Sequence, residues 1–357
     1  MAQPLLGHLD PEFLQIMDET QEMLRQVMRT ENELTLPISG TGSAGMETCL
    51  CNLIEPDDPV LICINGVFGE RMAEIAERQG AEVHTVEAEW GQIIQPDQVA
   101  EALKRFNAKL VCIVHAETST GVLQPIEEIS RIVHESEALL LVDAVTSLGG
   151  SPVETDTWGI DAIYSGTQKC LSCPPGLAPV SFSPRSVKKI ESRRTKIKSW
   201  YLDMSLIKKY WGEERFYHHT APVSMIFALN EALRLIIEEG LEERFARHRL
   251  NHRALVEGLE TMGLEMLVAP EYRLPMLNAV KIPEGVDDRA VRGALLGRYR
   301  MEIGGGLGPL AGKIWRIGLM GYSSTRENVF LLLEALGDIL GRPSSEAIDA
   351  ASKVYSE

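Results

Sequence analysis

An α/β protein is predicted, with a large domain whose mostly parallel sheet is sandwiched by helices and a smaller C-terminal α+β domain. Three observations predict it. Short apolar runs alternate with amphipathic stretches from about residue 35 to 185, the pattern of strand–helix repeats that build parallel sheets. Several of these runs are apolar at successive positions, as strands covered on both faces must be. After residue 185 the runs shorten and charged helical stretches dominate.

Taken in order, the strand candidates are PVLICIN (59–65), AEVHTVE (81–87), KLVCIVH (109–115), ALLLVD (138–143), DAIYSG (161–166) and LAPVSFS (177–183). Helical periodicity fills the gaps, for example over 68–79 and 125–135. A strong helix is predicted over 222–239. It has proline at its start and Val223, Ile226, Phe227, Leu233 and Ile237 on one face. Gly240 closes it, and a charged helix follows to about residue 261. The apolar runs at 264–268, 278–282 and 313–317 then alternate with helices near 287–298 and 325–340. The boundary is expected near Gly240, dividing the chain into a large domain over 1–240 and a small one over 241–357. A length of 357 residues suits two domains.

Composition excludes several classes. Acidic residues outnumber basic ones by 51 to 35, for a net charge of −16, which repels phosphate backbones and anionic lipid. No nucleic acid or membrane partner is expected. No apolar stretch approaches the roughly 18 residues of a membrane helix, and MAQPLLGHLD lacks the basic-then-apolar pattern of a signal peptide. The six cysteines all lie in the first half, mostly in apolar runs, which suits reduced thiols and a cytoplasmic protein. Cys170 and Cys173 form one Cys-x-x-Cys without a second pair, so no metal site is expected. The adjacent His218 and His219 lack metal-ligand spacing and read as capping or core polar contacts.

Four segments carry candidate chemistry. In SGTGSAGMETCLCNLI (39–54), Gly40, Gly42 and Gly45 spell G-x-G-x-x-G before a helix, where backbone amides can approach a phosphate. A dinucleotide would need an acid at the end of the next strand, and that strand ends in Asn65. In ALLLVDAVTSLGG (138–150), Asp143 directly follows a buried strand. It either caps the next turn or faces a cationic ligand atom. In DAIYSGTQKCLSCPPG (161–176), Lys169 is either a solvated lysine or one desolvated for Schiff-base chemistry. In GGGLGPLAGKIWRIGLMG (304–321), Arg316 sits between Trp315 and Ile317. It needs an anion, either a structural carboxylate or that of a ligand. Phosphate amides, a carboxylate for a ring nitrogen and a lysine for an aldehyde are together what pyridoxal 5'-phosphate needs. Phe68 in NGVFGER is either a lid for such a ring or a core aromatic.

The chain resembles the alanine–glyoxylate and serine–glyoxylate (serine–pyruvate) aminotransferases, class V pyridoxal-phosphate enzymes of fold type I. The resemblance is carried by ISGTGSAGMET, NGVFGER, HAETSTGVLQPIE, LVDAVTSLGG, YSGTQKCLSCPPG, YHHTAPV and GGLGPLAGKIWRIGLMG. It implies that Lys169 holds the cofactor as a Schiff base, that Asp143 pairs with its ring nitrogen and that Phe68 stacks on the ring. Thr41, Gly42, Ser43 and Gln168 are implied as phosphate contacts, with Tyr217 and Thr220 reaching the phosphate of a neighbouring subunit in a homodimer. Thr118 is implied near the ring oxygen, Val145 beneath the ring, and Arg316 on the substrate carboxylate. The implied reaction moves an amino group from a small L-amino acid, alanine or serine, to glyoxylate or pyruvate. One departure stands out. Relatives usually begin with a Gly/Pro-rich segment lining the substrate site, and here no Pro-Gly-Pro precedes Gln3. A truncated N-terminal segment with weakened substrate binding is therefore expected. Competing readings are a non-catalytic homologue serving as a binding subunit and a cysteine desulfurase-like lyase, although no late cysteine offers the nucleophile.

Overall fold

A computed structural model describes residues 4–357. The N-terminal departure falls partly on residues 1–3, outside the described residues. The large sheet is built from β1 (Leu34–Ser39), β2 (Pro59–Ile64), β3 (Glu82–Glu87) and β4 (Leu110–Val114). A small hairpin follows, β5 (Ala116–Glu117) and β6 (Val122–Leu123), before β7 (Leu139–Asp143), β8 (Ala162–Tyr164) and β9 (Leu177–Phe182) return to the large sheet. Its order is β1-β9-β8-β7-β4-β2-β3. The pairs among β3, β2, β4, β7 and β8 are parallel, whereas β9 runs antiparallel to both β8 and β1. Every residue of β4, β7, β8 and β9 is buried, in keeping with their unbroken apolar runs. β3 is different. It lies at the edge, and of its residues only Val86 is fully buried.

Helices cover both faces. The Gly42–Leu53 helix lies so close to the sheet that a Cβ on Gly45 would sit 3.0 Å from the Ala178 side chain and 3.2 Å from that of Tyr164. Glycine is needed there for contact, not for its backbone angles. The Pro11–Met28 helix packs on the Val223–Glu239 helix, with Phe13 edge-on to Phe227 at 5.9 Å. Beyond Gly240, whose positive φ of 86° turns the chain, the Leu241–Thr261 helix begins.

The small sheet comprises β10 (Leu277–Lys281), β11 (Gly304–Gly305) and β12 (Ile314–Gly318), antiparallel in the order β10-β12-β11. It has its own apolar core around Trp315, Leu255 and Leu333. Full burial of a large apolar side chain contributes roughly 2–3 kcal/mol each, and the Trp315 N–H is satisfied by Asp288 at 3.1 Å. One predicted strand, 264–268, is not a strand. It makes only an isolated bridge, Met266 to Val280, alongside β10. Among the described residues no helix is long and apolar enough to cross a membrane. All six cysteines are buried and unpaired.

Candidate active site

The site forms where the carboxyl ends of the parallel strands meet the first turns of the helices, the place α/β sheets leave for ligands. Thr41, Gly42 and Ser43 open the helix after β1, and Phe68 and Arg71 lie in the first two turns after β2. Ala116 and Thr118 come from the small hairpin, Asp143, Val145 and Thr146 from the end of β7, and Gln168 and Lys169 from the turn after β8. All of these line one cavity. The strand register explains part of the convergence, because Val114, Asp143 and Tyr164 are neighbours across β4, β7 and β8.

Asp143 ends β7 almost fully buried. Its Oδ1 accepts from the Val145 amide at 2.8 Å and its Oδ2 from the Tyr164 hydroxyl at 2.7 Å. The turn-cap contact is therefore made, and the carboxylate also lines the cavity. Burial raises its pKa to about 6, against the opposing pull of those two hydrogen bonds. A cation brought into the cavity would relieve that penalty. Lys169 is partly buried, and desolvation lowers its pKa, with the Arg316 charge acting in the same direction. Among the described residues no carboxylate lies within ion-pair distance of its Nζ. A partly desolvated amine with no ion-pair partner among the described residues, lining the same cavity as the Asp143 carboxylate, is the environment a nucleophilic lysine requires.

The start of the Gly42–Leu53 helix is equally specific. Thr41 is the N-cap of Gly42–Leu53 but makes no side-chain cap bond, so first-turn amides remain available to an anion. A Cβ on Gly42 would approach Val145 Cγ2 to 3.2 Å, so glycine keeps this helix start and the space beside Val145 open without displacing a neighbour. Phe68 is half-buried at the cavity wall, and the Arg71 guanidinium stands 5.0 Å over its ring. Arg71 also reaches the Ser43 hydroxyl at 3.4 Å.

Arg316 lies on β12 between the buried Trp315 and Ile317. Its Nε donates to the Gly305 carbonyl at 2.7 Å and its Nη1 to the Thr118 carbonyl at 3.1 Å. No carboxylate among the described residues is within ion-pair distance, so the structural-partner reading is not realised. Tyr217 and Thr220 are not brought to this cavity. They are exposed and face one another at 3.2 Å, in a segment with Phe216 also exposed. His218 and His219 contact each other at 2.8 Å, and His219 meets the Ser39 hydroxyl at 2.7 Å.

Three residues that sequence reasoning passed over belong to the site. Arg71 follows Phe68 by one helical turn. Tyr164 reads as a core aromatic, yet its hydroxyl holds Asp143. Glu117 looks like a loop residue but is completely buried. Its Oε1 accepts from the Ser119 amide and hydroxyl at 3.0 and 2.6 Å, and its Oε2 from the Phe68 amide at 3.1 Å. It caps the Val67–Gln79 helix from outside, since Gly66 at the N-cap offers no side chain. A Cβ on Gly66 would sit 2.4 Å from Glu117 Cδ. Gly66→Ala is therefore expected to destabilise the protein by about 2 kcal/mol through overpacking, measured by denaturant unfolding. An unchanged midpoint would refute the contact argument.

The pyridoxal-phosphate requirements are met by residues on hand: a lysine with a depressed pKa, a carboxylate that gains from a cationic ring nitrogen, and a glycine cradle at a helix start. The desulfurase-like alternative finds no thiol. Burial pushes Cys170 up to about 12 and Cys173 up to about 11, far from a reactive thiolate. The family Aminotransferase class-V matches residues 5–323. A solved alanine–glyoxylate aminotransferase from Nostoc sp. is 50% identical with a TM-score of 0.94, covering 95% of this chain and 90% of that one. The ureidoglycine–glyoxylate aminotransferase structure from Bacillus subtilis is 44% identical with a TM-score of 0.98, over 100% and 93% of the two chains. The alanine–glyoxylate aminotransferase of Callithrix jacchus is 44% identical over 94% of this chain and 82% of its own. The chain belongs to the class V aminotransferases, pyridoxal phosphate-dependent enzymes of fold type I.

Proposed function

We propose that this enzyme transfers the amino group of a small L-amino acid, alanine or serine, to glyoxylate or pyruvate. The observation that carries this reading is the pairing of a Lys169–Asp143 cavity with an arginine, Arg316, that has no protein carboxylate to satisfy it. Glyoxylate is favoured as acceptor because the Nostoc sp., B. subtilis and C. jacchus relatives all carry it in their names.

The amides of Gly42 and Ser43, with Thr41 and Gln168, would hold the cofactor phosphate. Phe68 and Val145 would enclose its ring, Thr118 would meet its oxygen and Asp143 its nitrogen. When bound, pyridoxal phosphate supplies an electron sink that acidifies the substrate Cα–H. Arg316 pins the substrate carboxylate so that the Cα–H bond faces Lys169. The Lys169 Nζ would take that proton from Cα and pass it to the cofactor, a task suited to an amine whose pKa is already lowered.

Tyr217 and Thr220 are read as phosphate contacts to a second copy in a homodimer. Their exposure, with Trp200, Tyr201 and Phe216 exposed nearby in sequence, supports an unfilled contact face. The domain division is read at Gly240: the larger apolar core is drawn almost wholly from residues before it and the smaller from residues after it. Six buried free thiols support a cytoplasmic setting.

The experiment is a donor panel of L-alanine, L-serine and (S)-ureidoglycine against glyoxylate and pyruvate, run on the loaded enzyme at a mass fixed by sedimentation. Turnover of alanine or serine with either acceptor, in a two-chain particle, is expected. Turnover confined to (S)-ureidoglycine, or none with either acceptor, would overturn the assignment.

A further inference from the structure

Lys169 follows a strand of the large sheet and Arg316 lies on the small one, yet one cluster of side chains ties both to a single helix. Arg244 sits buried in the first turn of the Leu241–Thr261 helix. Its Nε donates to the Gly149 carbonyl at 2.9 Å and its Nη2 to the Cys170 carbonyl at 2.6 Å, with the Ser172 hydroxyl at 3.3 Å. Gly149 belongs to the loop after β7 that also carries Val145 and Thr146, and Cys170 directly follows Lys169. The two loops press together. A Cβ on Gly149 would lie 3.2 Å from the Leu171 side chain, and one on Gly150 2.6 Å from Cys170 Sγ.

One helical turn further on, Arg247 Nη1 donates to the carbonyls of Gly321 and Ser324 at 3.0 and 2.7 Å. That loop follows β12 and hence Arg316. The buried His248 accepts from the Gly321 amide at 2.9 Å, and the Tyr322 amide donates to the Ser172 hydroxyl at 2.9 Å. Gly321 has a φ of 56°, and a Cβ there would collide with Ser172 Oγ, so glycine lets the loop after β12 lie against the lysine loop. One carboxylate joins the two arginines. Glu239 pairs with Arg244 Nη1 and, at 2.5 and 3.1 Å, with Arg247 Nε and Nη2. A buried guanidinium is costly unless charge and hydrogen bonds offset the lost water. For Arg244 the offset comes from Glu239 and from the carbonyls of the two loops that bound the site.

We propose that Glu239, Arg244 and Arg247 form a clasp that sets the spacing between Lys169 and Arg316, which makes Arg244 and Arg247 positioning residues for proton transfer from the substrate Cα. This rests on the reading of Lys169 as the base and of Arg316 as the substrate-carboxylate site. A substrate pinned by its carboxylate at one end presents its Cα–H bond to the base at only one spacing. A misplacement of about 1 Å costs about 10²-fold in rate. Lysine at position 244 or 247 keeps a positive charge facing Glu239 but cannot reproduce the planar fork that serves several acceptors at once.

The test compares loaded Arg244→Lys, Arg247→Lys and the double variant with wild type. Each is mixed rapidly with L-alanine or L-serine, with and without deuterium at Cα, in the absence of acceptor. Each single variant is expected to bleach with a rate constant about tenfold lower, at full amplitude. The deuterium effect should be no smaller than in wild type, because Cα–H transfer is the step that loses alignment. Propionate, which has a carboxylate but no amino group, should bind within about twofold of wild type by calorimetry, since Arg316 itself is untouched. The double variant should be slowed about as much as either single one, because the spacing is lost only once. A merely structural role leaves the rate constant of the competent molecules unchanged and lowers the amplitude or the propionate affinity, and that pattern would overturn the proposal. So would a diminished deuterium effect, or slowing that multiplies in the double variant. The half-buried Arg247 carries the test if Arg244→Lys does not fold. If wild type is bleached by neither amino acid, the reading of Lys169 falls as well; if wild type is bleached and the variants match it, the clasp alone falls.

Discussion

Lys169→Ala is expected to lower turnover by about ten-thousand-fold, the upper range for losing a positioned acid–base group. The variant should also lack the yellow colour of a lysine-bound cofactor. Lys169 enters the cavity from the turn after β8, on the side where Asp143, Val145 and Thr118 also point. Its amine has no carboxylate partner among the described residues, and burial already weakens its charged form. Removing it breaks no ion pair, and Asp143 keeps its hydrogen bonds to Val145 and Tyr164, so the fold is expected to persist. Denaturant midpoints within about 0.5 kcal/mol of wild type would confirm that the loss is chemical. Turnover and absorbance, measured together, check the prediction, and normal turnover would end the assignment.

Asp143→Asn carries the second-largest effect, a fall of about 10²- to 10³-fold, comparable to losing one preorganised electrostatic partner. Asparagine can still accept from the Val145 amide, and the Tyr164 hydroxyl can turn to accept instead of donate. Only the charge is lost. The variant also separates binding from folding. Asp143 has a folded pKa of about 6, raised above its ordinary value by burial, so its native form binds more protons than the unfolded chain between about pH 4 and 6. Its contribution to stability therefore declines as pH rises through that window and stays unfavourable above it. The cofactor-free variant should accordingly melt at or above the wild-type temperature at about pH 8, while the loaded variant gains less from the cofactor. A cofactor-free variant that melts lower would contradict the burial argument.

Much of this site was legible because its chemistry sits at punctuation points. ALLLVD and DAIYSG hold short unbroken apolar runs over 138–142 and 162–164, so a charged or polar residue just beyond them had to face the sheet's edge. Gly42 and Gly45 mark a helix start pressed against the sheet, and the Arg316 alternation Ile-Trp-Arg-Ile placed one cation on the less buried face of β12. What escaped were residues defined by partners distant in sequence. Glu117 acts on Phe68, and nothing local distinguishes it from a solvated loop acid. Tyr164 is a core aromatic by pattern and acquires its role only because parallel pairing sets it beside Asp143. Leu264–Val268 has strand composition, but lying alongside β10 it forms only the Met266–Val280 bridge. Tyr217 and Thr220 stay apart from the cavity within one chain, and the role proposed for them requires a second copy.

The most direct measurement follows the two half-reactions on purified loaded enzyme. L-Alanine or L-serine supplied without acceptor should bleach the yellow absorbance and release one 2-oxo acid per chain, then stop. Glyoxylate added afterwards should restore the colour and yield one glycine per chain. Bleaching without 2-oxo acid release, or colour that glyoxylate and pyruvate both fail to restore, would contradict transamination at this site.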